Sequence, residues 1–156
     1  MASGGARKPG PYTVGITPTT GAGSSATLTF TAGDTRGVSA LSFVTMLISP
    51  VIVGPPACQA LYFPASNAIN LLNDSGSAMV SITAVDLGTA GTLSNSLCSI
   101  NTGTASSTST SDNVTVTLPM TFDTGTFGGT KNIYLNAFDD FGDLSDWVSS
   151  ATWTVQ

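Results

Sequence analysis

Ala26-Thr-Leu-Thr-Phe-Thr31 alternates apolar and hydroxyl side chains, and Val114-Thr-Val-Thr-Leu118 repeats this pattern later in the chain. Successive side chains of a β-strand point to opposite faces, so the alternation predicts strands with one buried and one polar face. Similar short runs, rich in β-branched and aromatic residues, are separated by clusters of Gly, Asn, Asp, Ser and Pro. With nine or ten such runs, no long helix and no helix–strand alternation, the sequence predicts an antiparallel β-sandwich.

The strand boundaries follow from the same turn-forming residues. Strands are expected at residues 12–17, 26–31, 42–48, 57–63, 68–72, 79–85, 93–100, 114–118, 132–138 and 148–155. Residues 38–41 are expected to form a short helical turn, and residues 101–112, rich in Ser, Thr and Gly, a loop. Pro119 lacks a backbone N–H and is expected near an edge or a bulge.

The composition supports this fold class. The 156 residues include 20 Ser, 24 Thr, 17 Gly and 8 Pro but no Glu, so helix formers are scarce. A chain of this length is expected to form one domain, which we place at residues 11–156 after a flexible lead of residues 1–10. Because the lead has no apolar segment after its two basic residues, we do not expect it to be a signal peptide.

Charge and missing residue types exclude several classes of function. The chain has no His, which removes Ser-His-Asp and Cys-His catalysis and His-ligated metals. Four basic residues and a net charge of −5 provide no basic surface for nucleic acid. The longest apolar run, residues 43–53, is short and is broken by Ser49 and Pro50. We therefore expect a protein that is not an enzyme, does not bind nucleic acid and does not insert into a membrane.

Cys58 and Cys98 each lie in an apolar, strand-like stretch. Without CxxC spacing or His partners, the pair makes a poor metal site. In a Ser/Thr-rich chain with little Lys, the pair favours a disulfide over two buried free thiols. A disulfide in turn predicts an extracellular or cell-surface location.

Several short segments of the chain match those of a known module. These are Ala57-Cys58, Leu71-Leu-Asn-Asp-Ser-Gly76, Gly91-Thr-Leu-Ser-Asn-Ser-Leu-Cys98, Phe127-Gly-Gly-Thr-Lys-Asn132 and Trp153-Thr-Val155. Over residues 12–155 the chain resembles the immunoglobulin-like β-sandwich modules of large secreted bacterial surface and adhesive proteins. The resemblance implies a non-catalytic structural or adhesive role, and it supplies no catalytic residues to transfer.

Four carboxylates cluster around Gly142, namely Asp139, Asp140, Asp143 and Asp146. Flexible, oxygen-rich clusters suit Ca²⁺, although this spacing differs from that of the helix-loop-helix calcium loop, which ends in Glu. The sequence leaves two interpretations, a calcium site formed by the four Asp residues or a solvated acidic hairpin tip. Beyond calcium, no cofactor is expected.

Two segments resemble the Asp-Ser/Thr-Gly signature of aspartic proteases, Asp123-Thr-Gly125 and Asp74-Ser-Gly76. Such enzymes need two carboxylates that share a proton and come from two lobes or subunits. These two segments are too close in sequence for two lobes, and the same residues make ordinary turns. We interpret both as turns; a hydrolase would have to depend on Asp123 with Asp139 or Asp140.

Aromatic side chains suggest a binding surface. Trp147, beside the acidic turn, and Tyr134 could stack on a sugar, whereas Trp153 lies in an alternating strand and is expected in the core. A core or rim role for Trp147 is the competing interpretation. The expected partner is thus a protein or glycan surface, or another copy of the chain.

Two alternatives to the adhesive module follow. One is a carbohydrate-binding module. The other is a filament or virion surface subunit that assembles by edge-strand addition, with residues 1–17 as the donated strand.

Overall fold

Two antiparallel sheets of six strands each pack face to face in the computed structural model, which describes residues 10–52 and 57–156. In chain order the strands are β1 (Pro11–Thr17), β2 (Ser25–Asp34), β3 (Leu41–Ser49), β4 (Cys58–Phe63), β5 (Ala68–Leu71), β6 (Val85–Asp86), β7 (Thr92–Ser94), β8 (Cys98–Asn101), β9 (Ser106–Ser109), β10 (Asn113–Phe122), β11 (Gly129–Asp139) and β12 (Val148–Val155). The first sheet has the order β1-β2-β10-β8-β7, with β9 also paired to β10, and the second has the order β12-β11-β3-β4-β5-β6. The predicted all-β antiparallel sandwich is confirmed, with twelve strands in the described residues. Residues 1–9 of the predicted lead lie outside the described residues.

The alternating strands β2 and β10 form the centre of the first sheet. Leu28 and Phe30 of β2 and Val116 of β10 are buried against the second sheet, as their alternation predicts. The Phe30 ring meets the Tyr62 ring of β4 edge-to-face, with 6.5 Å between ring centroids. This aromatic pair fixes one sheet against the other across the core.

The threonines of β2 and β10 lie on the opposite face of the first sheet. Thr29 and Thr117 are cross-strand partners whose hydroxyls are 3.1 Å apart, and the hydroxyls of Thr31 and Thr115 are 2.9 Å apart. Such hydroxyl pairs stabilise an exposed sheet face without apolar surface. The high Thr content therefore has a structural use in this fold.

Two predicted strands differ in the structure. Residues 79–85 form mostly bends; the Val80 N–H donates to the Leu71 carbonyl of β5 at 2.8 Å, and a ladder with β5 forms at Val85–Asp86. The segment packs instead on the outer face of the second sheet, where the Asn70 side-chain amide donates to the Ser81 carbonyl at 3.0 Å. Residues 93–100 are split into the β7–β8 hairpin because the Asn95 side chain accepts the Leu97 N–H at 2.8 Å and turns the chain.

The predicted loop of residues 101–112 contains β9, which adds a short strand beside β10. Along this side of β10, β9 pairs as far as Thr117 and β8 begins to pair at Met120. Pro119 therefore lies in a gap between two partner strands. No strand faces it on this side, so the sheet does not need the N–H that proline lacks. It is within a central strand, but at a local interruption of pairing.

Two helical turns complete the described elements, a 3₁₀ turn at Val38–Ala40 and α1 (Thr124–Phe127). The 3₁₀ turn agrees with the expected short helical turn. Within residues 10–52 and 57–156, no helix is both long enough and apolar enough to cross a lipid bilayer.

The described sheet edges are short or covered. Along β12, Thr152 N–H donates to the Thr19 carbonyl at 3.0 Å and Thr154 N–H donates to the Gly21 carbonyl at 2.9 Å, so residues 19–23 pair with this edge. At the other end of the sheets, β6 and β7 have two and three residues. β1 already pairs with β2 and carries a bulge. Such short, covered or bulged edges resist strand addition.

Candidate functional site

The two cysteines form a disulfide between the sheets. Cys58 begins β4 of the second sheet, Cys98 begins β8 of the first, and their Cα atoms are 6.1 Å apart. Both side chains are almost fully buried in the core. The predicted disulfide is confirmed, and it ties the two sheets together close to one short edge of the sandwich.

The predicted acidic cluster is organised by an arginine. Asp139 is buried at the end of β11, and the Arg36 Nη1 lies 2.9 Å from its Oδ2 and 3.3 Å from the Asp143 Oδ2. The other oxygen of Asp139, Oδ1, accepts the backbone N–H groups of Phe141 and Asp143, both at 2.9 Å. Asp139 thus holds the tip of its own hairpin while neutralising a cation from the turn that follows β2.

The four residues of the calcium prediction, Asp139, Asp140, Asp143 and Asp146, lie along this hairpin tip. In the described part of the chain, no three acidic, His or Cys side chains are grouped so that they could hold a metal ion. The Arg36 guanidinium already pairs with two of these carboxylates, Asp139 and Asp143. Calcium binding at this tip stays a prediction. The segment is an acidic hairpin tip whose charge is partly paired.

A second buried carboxyl, Asp34, lies against this cluster. Asp34 ends β2 and has no exposed surface; its Oδ1 accepts the Arg36 N–H at 2.8 Å. The Asp139 carboxyl is close enough to raise the pKa of Asp34, and the Asp34 Oδ2 has no hydrogen-bond partner among the described residues. A proton shared between the two carboxyls would supply a donor at this position.

Burial raises the pKa of Asp34, the Arg36 N–H opposes that effect, and the Asp139 carboxylate adds to it. Burial also acts to raise the pKa of Asp139, but the N–H groups of Asp143 and Phe141, the Asp34 hydrogen bond and the Arg36 charge outweigh it and lower that pKa. Of the two carboxyls, Asp34 therefore keeps its proton to the higher pH. Nothing in the sequence around Asp34 indicates a partner that lies so far along the chain.

The two protease-like segments are structural. Asp123 caps α1, its carboxylate accepting the Gly125 and Thr126 N–H groups at 2.9 Å each, so this segment is a helical turn. The Asp74 carboxylate accepts the Ser96 N–H at 2.8 Å and the Ser96 hydroxyl at 2.5 Å. The Ser96 hydroxyl and N–H lower the pKa of Asp74, and the Thr126 N–H is the main cause of the lowered pKa of Asp123.

The predicted binding aromatics occupy the outer face of the second sheet. Trp147 is half-buried and lines a groove of about 230 Å³ together with Leu47, Gln59 and the turn that follows β5. Met46 and Ile48 face the core, so Leu47 between them faces outward and forms the groove floor. The groove was only partly predictable: the sequence indicated Trp147 as a binding residue, but nothing in it indicated the residues of the groove floor.

Tyr134 is not among the residues that line the groove. It is half-buried on β11, directly opposite Leu47 of β3, which in turn is opposite Gln59 of β4. These three side chains form one row across the outer face of the sheet. Tyr134 therefore extends the surface next to the groove floor. Trp153, expected in the core, is buried there, and its indole N–H donates to the Gly23 carbonyl at 3.0 Å.

Comparisons with protein-family models, with curated proteins and with solved structures give no significant match. A functional interpretation of this chain is therefore built on the geometry of the disulfide, the carboxyl clusters and the Trp147 groove.

Proposed function

We propose that this chain is a non-catalytic, secreted module with an immunoglobulin-like fold and a structural and adhesive role. The single observation that supports this most is the buried Cys58–Cys98 disulfide between the two sheets. Structural disulfides form and persist in oxidising surroundings, such as outside the cell. A sandwich closed in this way suits a domain that presents a surface and resists unfolding there.

The surroundings of the acidic side chains support a role without catalysis. General acid–base chemistry needs an accessible group whose pKa lies near the working pH. The pKa values of Asp74, Asp123 and Asp139 are all lowered, so these groups are ionised at neutral pH and engaged in hydrogen bonds. Asp34, whose pKa is raised, is fully buried and out of reach of a substrate.

The test uses beads coated with the oxidised full chain, washed under flow over films of neutral polysaccharide, acidic polysaccharide and protein. Beads coated with the reduced and alkylated chain are the control. We expect retention on at least one film by the folded chain, and no cleavage of chromogenic ester, peptide or glycoside substrates. Retention no better than that of the control on every film would contradict the adhesive role, and cleavage at a rate abolished by Asp123→Asn would contradict the absence of catalysis.

Self-assembly through edge strands is the less well supported alternative. β12 is paired with residues 19–23, and residues 11–17 of the supposed donor strand already pair with β2. We expect light scattering to give a monomer, and the chain to stay monomeric when residues 2–9 are deleted. Ordered filaments that disappear on this deletion would favour assembly instead.

A further inference from the structure

The Trp147 groove has an aromatic wall and an apolar floor. Trp147, from the segment before β12, forms one wall, and the floor includes Leu47, which is 6% exposed. The turn after β5 and Ile52, which is 41% exposed, also line the groove. A flat aromatic ring over an apolar floor favours a ligand that has an apolar face.

Polar groups of the groove are held in place before any ligand arrives. Asp74 is fixed by its two hydrogen bonds from Ser96, and its carboxylate retains lone pairs for further donors. The turn that carries Asp74 is itself held by the Asn73 side chain, whose Oδ1 accepts the Ser77 N–H at 2.9 Å. Gln59 on the floor side adds a carboxamide, which can both donate and accept. Such preorganised groups bind hydroxyls without losing further conformational entropy.

The electrostatics of the groove select against anions. Its lining contains the Asp74 carboxylate and no basic side chain. The two basic residues in the described part of the chain are engaged elsewhere, Arg36 with Asp139 and Lys131 with the Gly128 carbonyl at 2.9 Å. A phosphate, sulfate or carboxylate ligand would meet repulsion rather than a partner.

We propose that the Trp147 groove binds a neutral sugar ring of a glycan chain. The ring's apolar face stacks on Trp147, and its hydroxyls bond to Asp74 and Gln59. At about 230 Å³ the groove is smaller than the ~300–1,000 Å³ of enclosed small-molecule pockets, which fits one ring of a chain whose remainder stays in solvent. The inference rests on the proposed function, because it names the ligand class of the adhesive module.

Another groove of the molecule, beside Tyr62 and Asn67, lacks these properties. The Tyr62 hydroxyl donates to Asn67 Oδ1 at 2.6 Å, and the Ser107 hydroxyl donates to the same oxygen at 2.5 Å, so these groups satisfy one another. The Tyr62 ring is 2% exposed and offers no face to a ligand. The Trp147 groove is therefore the better sugar site.

The test is a titration of the oxidised full chain with neutral oligosaccharides of glucose, mannose and N-acetylglucosamine, and with a sulfated oligosaccharide for comparison. Binding is followed by calorimetry and by tryptophan fluorescence. We expect at least one neutral probe to bind, with Trp147→Ala weakening it about tenfold or more and Gln59→Ala weakening it several-fold. Trp147→Phe, which keeps a flat ring, should lie between wild type and Trp147→Ala.

Phe141→Ala is the matched control, because Phe141 is 66% exposed in the same connection but does not line the groove. Thermal unfolding checks that each variant is folded. If Trp147→Ala does not fold, Gln59→Ala still tests the site. Binding of no neutral probe at millimolar concentration, binding unchanged in folded Trp147→Ala, or binding of the sulfated probe alone would each overturn the proposal. If the folded chain binds no neutral sugar but beads coated with it are still retained on a protein film, the sugar site is refuted and the adhesive role stands.

Discussion

Replacing Asp34 with Asn is expected to stabilise the protein at neutral pH, and by a larger margin as the pH rises. In the wild type, Asp34 and Asp139 are neighbouring buried carboxyls, and the Asp34 Oδ2 has no donor among the described residues when both are ionised. An Asn at this position keeps an oxygen for the Arg36 N–H and presents an N–H₂ group toward Asp139. The substitution thus supplies a permanent donor and removes the repulsion between two negative charges.

The size of the effect follows from the missing donor. Leaving a buried acceptor without a donor costs about 1–3 kcal/mol, so the variant is expected to gain about 1–2 kcal/mol near neutral pH. For a domain of this size, each kcal/mol corresponds to roughly 2–4 °C in Tm. Asp34→Ala is the matched control, since it removes the charge but provides no donor and loses the bond from Arg36.

The pH dependence has a definite sign. Because the pKa of Asp34 is raised above 3.8 in the folded state, Asp34 keeps its proton to a higher pH in the folded chain than in the unfolded chain. The contribution of Asp34 to stability is therefore complete below its unfolded pKa and is lost as the pH rises through its folded pKa. Asn does not titrate, so the difference between variant and wild type should grow over this window and then level off.

The assay is urea unfolding of the oxidised wild type, Asp34→Asn and Asp34→Ala, from about pH 4 to about pH 8, with the free energy of unfolding compared at each pH. We expect Asp34→Asn to exceed the wild type at neutral pH and Asp34→Ala to fall below Asp34→Asn throughout. A destabilised Asp34→Asn at neutral pH, or a difference that does not change with pH, would refute the shared-proton explanation.

Three further predictions concern stability. Replacing Cys58 and Cys98 by Ala removes a cross-link over a sequence separation of 40, which should lower the free energy of unfolding by about 4 kcal/mol. A loss below about 1 kcal/mol, measured by urea unfolding, would contradict a structural role for the disulfide. Thr45→Val removes a buried hydroxyl that has no partner among the described residues, and should raise that free energy by about 1 kcal/mol, whereas a decrease would indicate a hidden partner. Gly21→Ala would place a Cβ atom 2.3 Å from the Trp153 ring, which should lower the free energy of unfolding by about 1–3 kcal/mol. Calorimetry should therefore show a lower Tm, and an unchanged Tm would contradict the close packing of residues 19–23 on β12.

The strands that were predictable are those with an amphipathic pattern. β2 and β10 alternate regularly, and the structure buries their apolar side chains and pairs their threonines as the period of two requires. Residues 79–85 carry β-branched and apolar residues as well, but pattern alone does not show whether backbone N–H groups find a ladder partner. Here the Ser81 N–H donates to the Asn70 side-chain oxygen at 3.3 Å and the Asn70 amide donates to the Ser81 carbonyl, so a side chain replaces a ladder partner at this position.

The candidate sites divide in the same way. The disulfide was predictable, because two apolar-flanked cysteines without metal-site spacing leave few other uses. The cluster of acidic residues around Asp139 could be recognised from the sequence, but its pairing depends on Arg36, which the fold brings from the turn that follows β2. Likewise, Trp147 could be predicted as a binding residue because it is an aromatic beside a turn. The groove itself could not be predicted, because it depends on the strand register that places Leu47 beside Gln59.

The account of adhesion to a glycan through the Trp147 groove is tested most directly by bead retention on a neutral polysaccharide film, with wild-type and Trp147→Ala chains compared side by side. Both proteins are oxidised, and both are shown to be folded by thermal unfolding before coating. The account predicts that wild-type beads are held under flow, that a soluble oligosaccharide of the same sugar releases them, and that Trp147→Ala beads wash away. Equal retention of the two proteins, or retention of neither, would contradict it.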